Sequence, residues 1–226
     1  MTETTKKSWL ARKMETALRS GFTRAYETVR VEPQEYLTHL RTAHGLPIQT
    51  YQGVFSVPVD ELDGIAANTI RASMKLAAAE GAGMGIGGVL TLVPDLGILS
   101  AITLRTIQKL SLIYGFEFNT DDEIAELWIA TASAAGVDIS RELVERGVVR
   151  QFVPRVIAKI ATQASTDVVE KWAGRLIPVL SSVIGGALNY FFIRAWSERA
   201  AKHFRGKHLA KRAKMVESGE MPALER

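Results

Sequence analysis

The run Leu76–Phe118, LAAAEGAGMGIGGVLTLVPDLGILSAITLRTIQKLSLIYGFEF, constrains the fold more than any other part of the chain. Between Glu80 and Arg105 its one charge is Asp95, and its one proline, Pro94, stands directly before that charge. Such a run reads as two apolar helices joined at a tight Pro94-Asp95 corner, which the remaining chain must cover. Gly81, Gly83, Gly85, Gly87 and Gly88 crowd its first half. Spaced four apart with Ala77, they bare one helical face so that a second backbone can approach closely, inside a bundle or inside lipid. Gly83, Gly85 and Gly88 also satisfy G-x-G-x-x-G. A dinucleotide site needs a strand before those glycines, and an alanine-rich helix precedes them here, so no nucleotide cofactor is expected. Asp95 reads as a helix-start carboxylate accepting first-turn amides. A buried carboxylate that pairs with a cation is the functional alternative.

Elsewhere the periodicity is helical almost throughout. Trp9, Met14, Leu18, Phe22, Ala25 and Val29 recur at three- and four-residue steps along residues 4–30, a helix that Gly21 weakens slightly. Pro33 opens a short helix that Gly45-Leu46-Pro47 stops. Ile48–Val57 is β-like in composition and reads as an extended connector, since a lone strand cannot make a sheet. Pro58, Asp60, Glu61 and Asp63 supply an acidic first turn for the helix that runs into the glycines. The second apolar helix ends near Gly115, and Thr120–Glu123 forms a capping box for a helix that stops at Gly136. Ser140 caps a short helix reaching Gly147, residues 148–174 form another around Pro154, and Pro178 begins a last one that extends at least to Phe204. Within that last helix, Leu176–Ile193 is 18 uncharged residues long, just short of a bilayer crossing of about 20. Gly185, Gly186 and Asn189 make it a poor lipid-facing helix, so it reads as a core helix packed on the glycine-rich hairpin.

Charge is uneven although the net value is only +4. Lys202, Arg205, Lys207, Lys211, Arg212 and Lys214 crowd the C-terminal region, and Lys6, Lys7, Arg12, Lys13, Arg19 and Arg24 the N-terminal one. Basic ends suit an anionic partner, and a membrane surface fits better than nucleic acid, for which no stacking platform or reading helix is apparent. There is no cysteine, which excludes disulfides and thiolate chemistry. The charged N-terminus lacks the apolar core of a signal peptide, so a cytoplasmic protein is expected. The four histidines fall as His39/His44 and His203/His208, five apart rather than the four of a helical zinc pair. No nucleophile elbow, zinc-protease helix or phosphate-loop lysine motif is present. No catalytic residue, metal or cofactor is assigned.

The pattern G-x-G-x-G-x-G-G-x-x-x-L-x-P-D over Gly81–Asp95, followed by Leu104-Arg105-x-Ile107 and Tyr114-Gly115, resembles the central motif of the EcsC family. Ile177-Pro178, Ile184-Gly185-Gly186-Ala187, Asn189-Tyr190 and the alanine-rich helix around Ala195–Phe204 are similar to its C-terminal signature. The resemblance covers about residues 60–204. It implies a bacterial, all-helical protein of a family named for a gene beside an ABC transporter, and it assigns no catalytic residues.

These readings converge on an all-α protein, a single domain of roughly eight helices around a buried glycine-rich hairpin. Its parts are an N-terminal basic helix and connector (1–57), a helical core (58–204) and a basic tail (205–226). The functional expectation is a non-catalytic accessory protein, peripheral on the inner face of the cell membrane and linked to transport or secretion. Lys202, Arg205, Lys207, Lys211 and Arg212 would meet anionic headgroups, and Trp196 and Phe204 would anchor at the interface. Two alternatives stay open. One is a soluble scaffold for a protein partner. The other is a lipid- or small-molecule-binding protein, hydrolase included, with a pocket between the hairpin and residues 176–193.

Overall fold

The structure is a computed structural model that describes residues 3–84, 92–139, 149–172 and 182–220. Among them the chain is all-α. In order come α1 (Glu3–Thr28), α2 (Pro33–His44), a 3₁₀ turn (Tyr51–Ser56), α3 (Val59–Met84), α4 (Leu92–Ile113), α5 (Asp121–Ala134), α6 (Val149–Trp172) and α7 (Ser182–Glu217).

Helix α4 is the centre, packed against α1, α2, α3, α5 and α7. Leu99, Leu104, Ile107, Leu110, Leu112 and Ile113 are all buried, as a helix apolar nearly all round requires. Its buried polar residues are satisfied within the fold. The Ser100 and Thr103 hydroxyls donate to the carbonyls of Leu96 and Leu99, four residues back, at 2.7 and 2.6 Å. Buried Gln108 holds the α1–α2 connection: its Oε1 accepts from Val31 N at 2.9 Å and its Nε2 donates to Val29 O at 3.1 Å.

The helix boundaries follow local chemistry. Pro33 occupies a first-turn position of α2, where no intrahelical N–H is needed, and Gly45 ends it at φ +69°. Thr120 and Glu123 form the complete capping box of α5. Gly115 and Gly136, with φ of +86° and +80°, end α4 and α5. Gly21, expected only to weaken α1, marks where α1 crosses α4. A Cβ there would lie 2.8 Å from Ser100 Oγ and 3.0 Å from Gly97 Cα.

Two readings of the sequence are corrected. Within Ile48–Val57, Tyr51–Ser56 form a 3₁₀ turn, while the flanking Thr50 and Val57 keep extended backbone angles. Tyr51, Val54 and Phe55 stand at i, i+3 and i+4, so a 3₁₀ turn buries all three, and Tyr51 Oη donates to Pro33 O at 2.6 Å. The corner is not at Pro94-Asp95, because α4 is already helical at Leu92 and both residues lie in its first turn.

Gly81 and Gly83 end α3, and Gly185 and Gly186 lie in the first turns of α7. Gly85, Gly87, Gly88, Pro178 and the helix expected from Ser140 lie outside the described residues, as does the side chain of Asp95. Asn189 is buried, in keeping with a core position for that part of α7. One described segment, Leu96–Ile113, is long and apolar enough to cross a membrane, and 67% of it is buried inside the fold.

Candidate functional site

Five of the residues expected at a membrane are already engaged within the fold. Arg205 Nε donates to Asp63 Oδ2 at 2.8 Å. Lys207 pairs with Glu126 and lies 5.0 Å from the Phe116 ring centre. Lys211 sits over the Phe55 ring at 4.5 Å. Asp63 of α3 and Glu126 of α5 thus pair two of the six cations of the C-terminal cluster. Phe204 is buried, 6.2 Å from Phe116. Trp196 is equally internal, stacked on Phe22 at 5.7 Å and on Phe192 at 4.5 Å. Neither aromatic is positioned as an interfacial anchor, because an apolar helix face this close to α4 is covered by the core. Lys202 and Lys214 remain exposed and Arg212 half-exposed, with no acidic partner among the described residues.

Helix α1 presents a more open cationic surface. Met14, Leu18, Phe22 and Ala25 face the core, while Arg12, Lys13, Arg19 and Arg24 face solvent. None of the four is ion-paired among the described residues. Trp9 shares that face at 40% exposure, with Lys13 Nζ 4.6 Å above its ring. Helix α6 packs beside α1, joined by a 2.8 Å hydrogen bond from Thr162 Oγ1 to Glu15, and adds exposed Arg150, Arg155 and Lys159.

The third feature is a cleft of about 640 Å³ between α2, α3 and α4. Helices α3 and α4 run antiparallel, their Ser73 and Thr106 hydroxyls 2.8 Å apart. Its lining includes the polar residues Tyr36, His39, His44, Arg105 and Lys109 and the apolar residues Leu76, Ala101 and Ile102. Among the described residues no acidic side chain lines it. The His39 and His44 rings meet edge to face at 5.4 Å, although five residues separate them, because His44 is the last residue of α2. Partial burial, reinforced by His44 and Lys109, pushes the His39 pKa down. Burial and the neighbouring Arg105 push Lys109 down, and burial raises the Tyr36 phenol to about 12 despite a hydrogen bond with Thr69. The sequence carried one signal for this cleft that periodicity alone passes over. Arg105 and Lys109 are like charges at i, i+4 on an otherwise apolar helix, an arrangement that costs helix stability.

Among the described residues no group of three or more His, Asp or Glu side chains could hold a metal. The pocket expected between the hairpin and residues 176–193 falls largely outside the described residues.

An all-helical fold wrapped around a central apolar helix, with cationic surfaces and a cationic cleft, is the setting in which the chain's relatives are to be read. The chain belongs to the EcsC family: the model of the EcsC protein family matches residues 3–209. It is also similar to Protein EcsC of Bacillus subtilis (strain 168), 27% identical over 169 residues that span 72% of this chain and 71% of that protein. No solved structure matches the chain.

Proposed function

We propose that the chain is a non-catalytic accessory protein that acts at the cytoplasmic face of the membrane, held there by electrostatic attraction to anionic headgroups. The observation that carries this reading is the exposed face of α1, where Trp9 shares a helix face with four cations that have no acidic partner among the described residues. Tryptophan partitions to the headgroup region, and each nearby cation contributes about 1 kcal/mol at an anionic surface. Lys202, Arg212 and Lys214 add to this attraction, whereas Arg205, Lys207 and Lys211 serve the fold first. A link to transport or secretion would follow from recruiting a membrane partner to that face.

The test is co-sedimentation of the full chain with vesicles rich in phosphatidylglycerol. Charge reversal at Arg12, Lys13, Arg19 and Arg24 should reduce binding by about a hundredfold or more, and raised salt should release the native protein. Binding that ignores both changes would overturn the electrostatic attachment, and no binding at all would discard the membrane reading and leave the soluble scaffold ahead.

A further inference from the structure

We propose that the cleft between α2, α3 and α4 is a binding site for an amphiphilic phosphomonoester, its head held by Arg105 and Lys109 and its alkyl chain laid along Leu76 and Ile102. The reading starts from the cleft's own polarity. Because α3 and α4 are antiparallel with Ser73 opposite Thr106, Leu76 lies level with the Ile102 end of α4, away from Lys109. Lys109 therefore stands about two helical turns along α4 from Ile102, with Arg105 about one turn from Ile102 between them.

The cationic end is built without a counter-charge. Neither Arg105 nor Lys109 has an ion pair among the described residues, and His39 and His44 stand beside them. Two fixed cations on one helix turn repel each other, and a dianion between them would convert that repulsion into charge-assisted hydrogen bonds. The arginine fork and the lysine ammonium suit phosphate, with the Tyr36 hydroxyl and the imidazoles as further donors. Burial and Arg105 both disfavour the charged form of Lys109, and a bound anion would favour it.

The apolar end points to the other half of the ligand. Leu76 is 52% exposed, among the most exposed large apolar side chains described, and Ile102 is only partly covered. An alkyl chain lying there would bury both. A volume of about 640 Å³ also lies within the common range of small-ligand sites.

Such a headgroup could come from a free single-chain phosphate or from a lipid still in a bilayer, and two arms separate them. Calorimetric titration of the full chain with dodecyl phosphate below its micelle concentration tests the free form. Vesicles containing phosphatidic acid, added to protein with α1 already charge-reversed, test the lipid. Binding in the first arm alone assigns a free ligand, and binding in the second assigns the lipid. Failure in both overturns the proposal.

In the binding arm, Arg105→Gln and Lys109→Gln should each weaken affinity by about tenfold or more, as loss of a charge-assisted contact predicts. Leu76→Gln should weaken binding of the chain-bearing ligand while leaving any inorganic phosphate binding unchanged. Arg105 and Leu76 are exposed, so these two variants should keep their helical circular dichroism and melting temperature. Unchanged affinity in Arg105→Gln and Lys109→Gln would overturn the headgroup assignment. Equal affinity for inorganic phosphate, or for uncharged dodecyl maltoside, would overturn the amphiphile. The α1 charge reversal should leave dodecyl phosphate binding intact, so failure here and failure of the membrane reading are separable.

Discussion

His208 lies flat against Phe55, with ring centroids 4.8 Å and planes 14° apart. Its Nδ1 donates to the Tyr114 carbonyl at 3.0 Å, and its buried Nε2 meets no hydrogen-bond partner among the described residues. The arrangement suits a neutral imidazole. Burial, the largest influence, pushes the pKa below the ordinary 6.5, Arg212 and Arg205 act in the same direction, and the Tyr114 carbonyl and Asp63 oppose them. His203, lowered by burial and by Lys207, behaves alike.

The sign for stability follows. Between the ordinary value and the lower folded one, the unfolded chain binds more protons, so stability is full above about pH 6.5 and declines below it. The urea midpoint should fall from about pH 7.5 to about pH 5.5 with an unchanged m-value. His208→Phe keeps the stack and removes the proton, so its midpoint should depend less on pH. An unaltered slope in that variant would assign the dependence elsewhere.

The crossing of α1 over α4 at Gly21 sets a second expectation. With Ser100 Oγ, Gly97 Cα and Leu96 O all within 3.0 Å of a Cβ placed there, Gly21→Ala must push two helix backbones apart. A loss of about 1–3 kcal/mol in denaturant unfolding is expected. Gly206 in α7 has nothing within 4 Å of the same position, so Gly206→Ala should gain up to about 1 kcal/mol from helix propensity. Equal effects at the two sites would remove the crossing as the cause.

Gln108 gives a third. Val31 N reaches the Gln108 carbonyl oxygen from 77 residues away, and both groups are buried. Gln108→Leu fills the space but leaves the Val31 amide without its acceptor, at a cost of about 1–3 kcal/mol. Hydrogen exchange should locate the loss, with the Val31 amide less protected while the α4 amides keep their protection. Uniform deprotection along α4 would instead mean that the whole helix packing was disturbed.

What was legible in the sequence was whatever is encoded within a few residues. Pro33, Gly45, Gly115, Gly136 and the Thr120–Glu123 box each fix a boundary through local backbone chemistry, and the apolar length of α4 required a covered helix. Partners across the fold were not legible. Nothing near Lys207 in sequence announces Glu126, 81 residues away, and nothing near Arg205 announces Asp63, 142 residues away. A basic cluster read from composition thus included cations already paired. The cleft was hidden for the same reason, because its walls come from α2, α3 and α4 and acquire a shared polarity only once α3 and α4 are set antiparallel.

Trp196 and Trp9 separate the two roles a tryptophan could have had here. Trp196 stands between Phe22 and Phe192 at 5% exposure, so Trp196→Ala should cost about 3–5 kcal/mol through the cavity it leaves. Trp196→Phe, which keeps an aromatic ring, should cost clearly less. Trp9 is 40% exposed, with Lys13 of its own helix over the ring, so Trp9→Ala should change stability by no more than about 0.5 kcal/mol. Vesicle binding should show the reverse order, weakened by Trp9→Ala and retained by folded Trp196→Phe. Measuring both quantities on both variants compares an interior residue with a surface one. If Trp196→Phe lost vesicle binding at full stability, α7 would have to expose its aromatic face at the membrane, and the closed packing of α7 on α1 and α4 would not be the bound form.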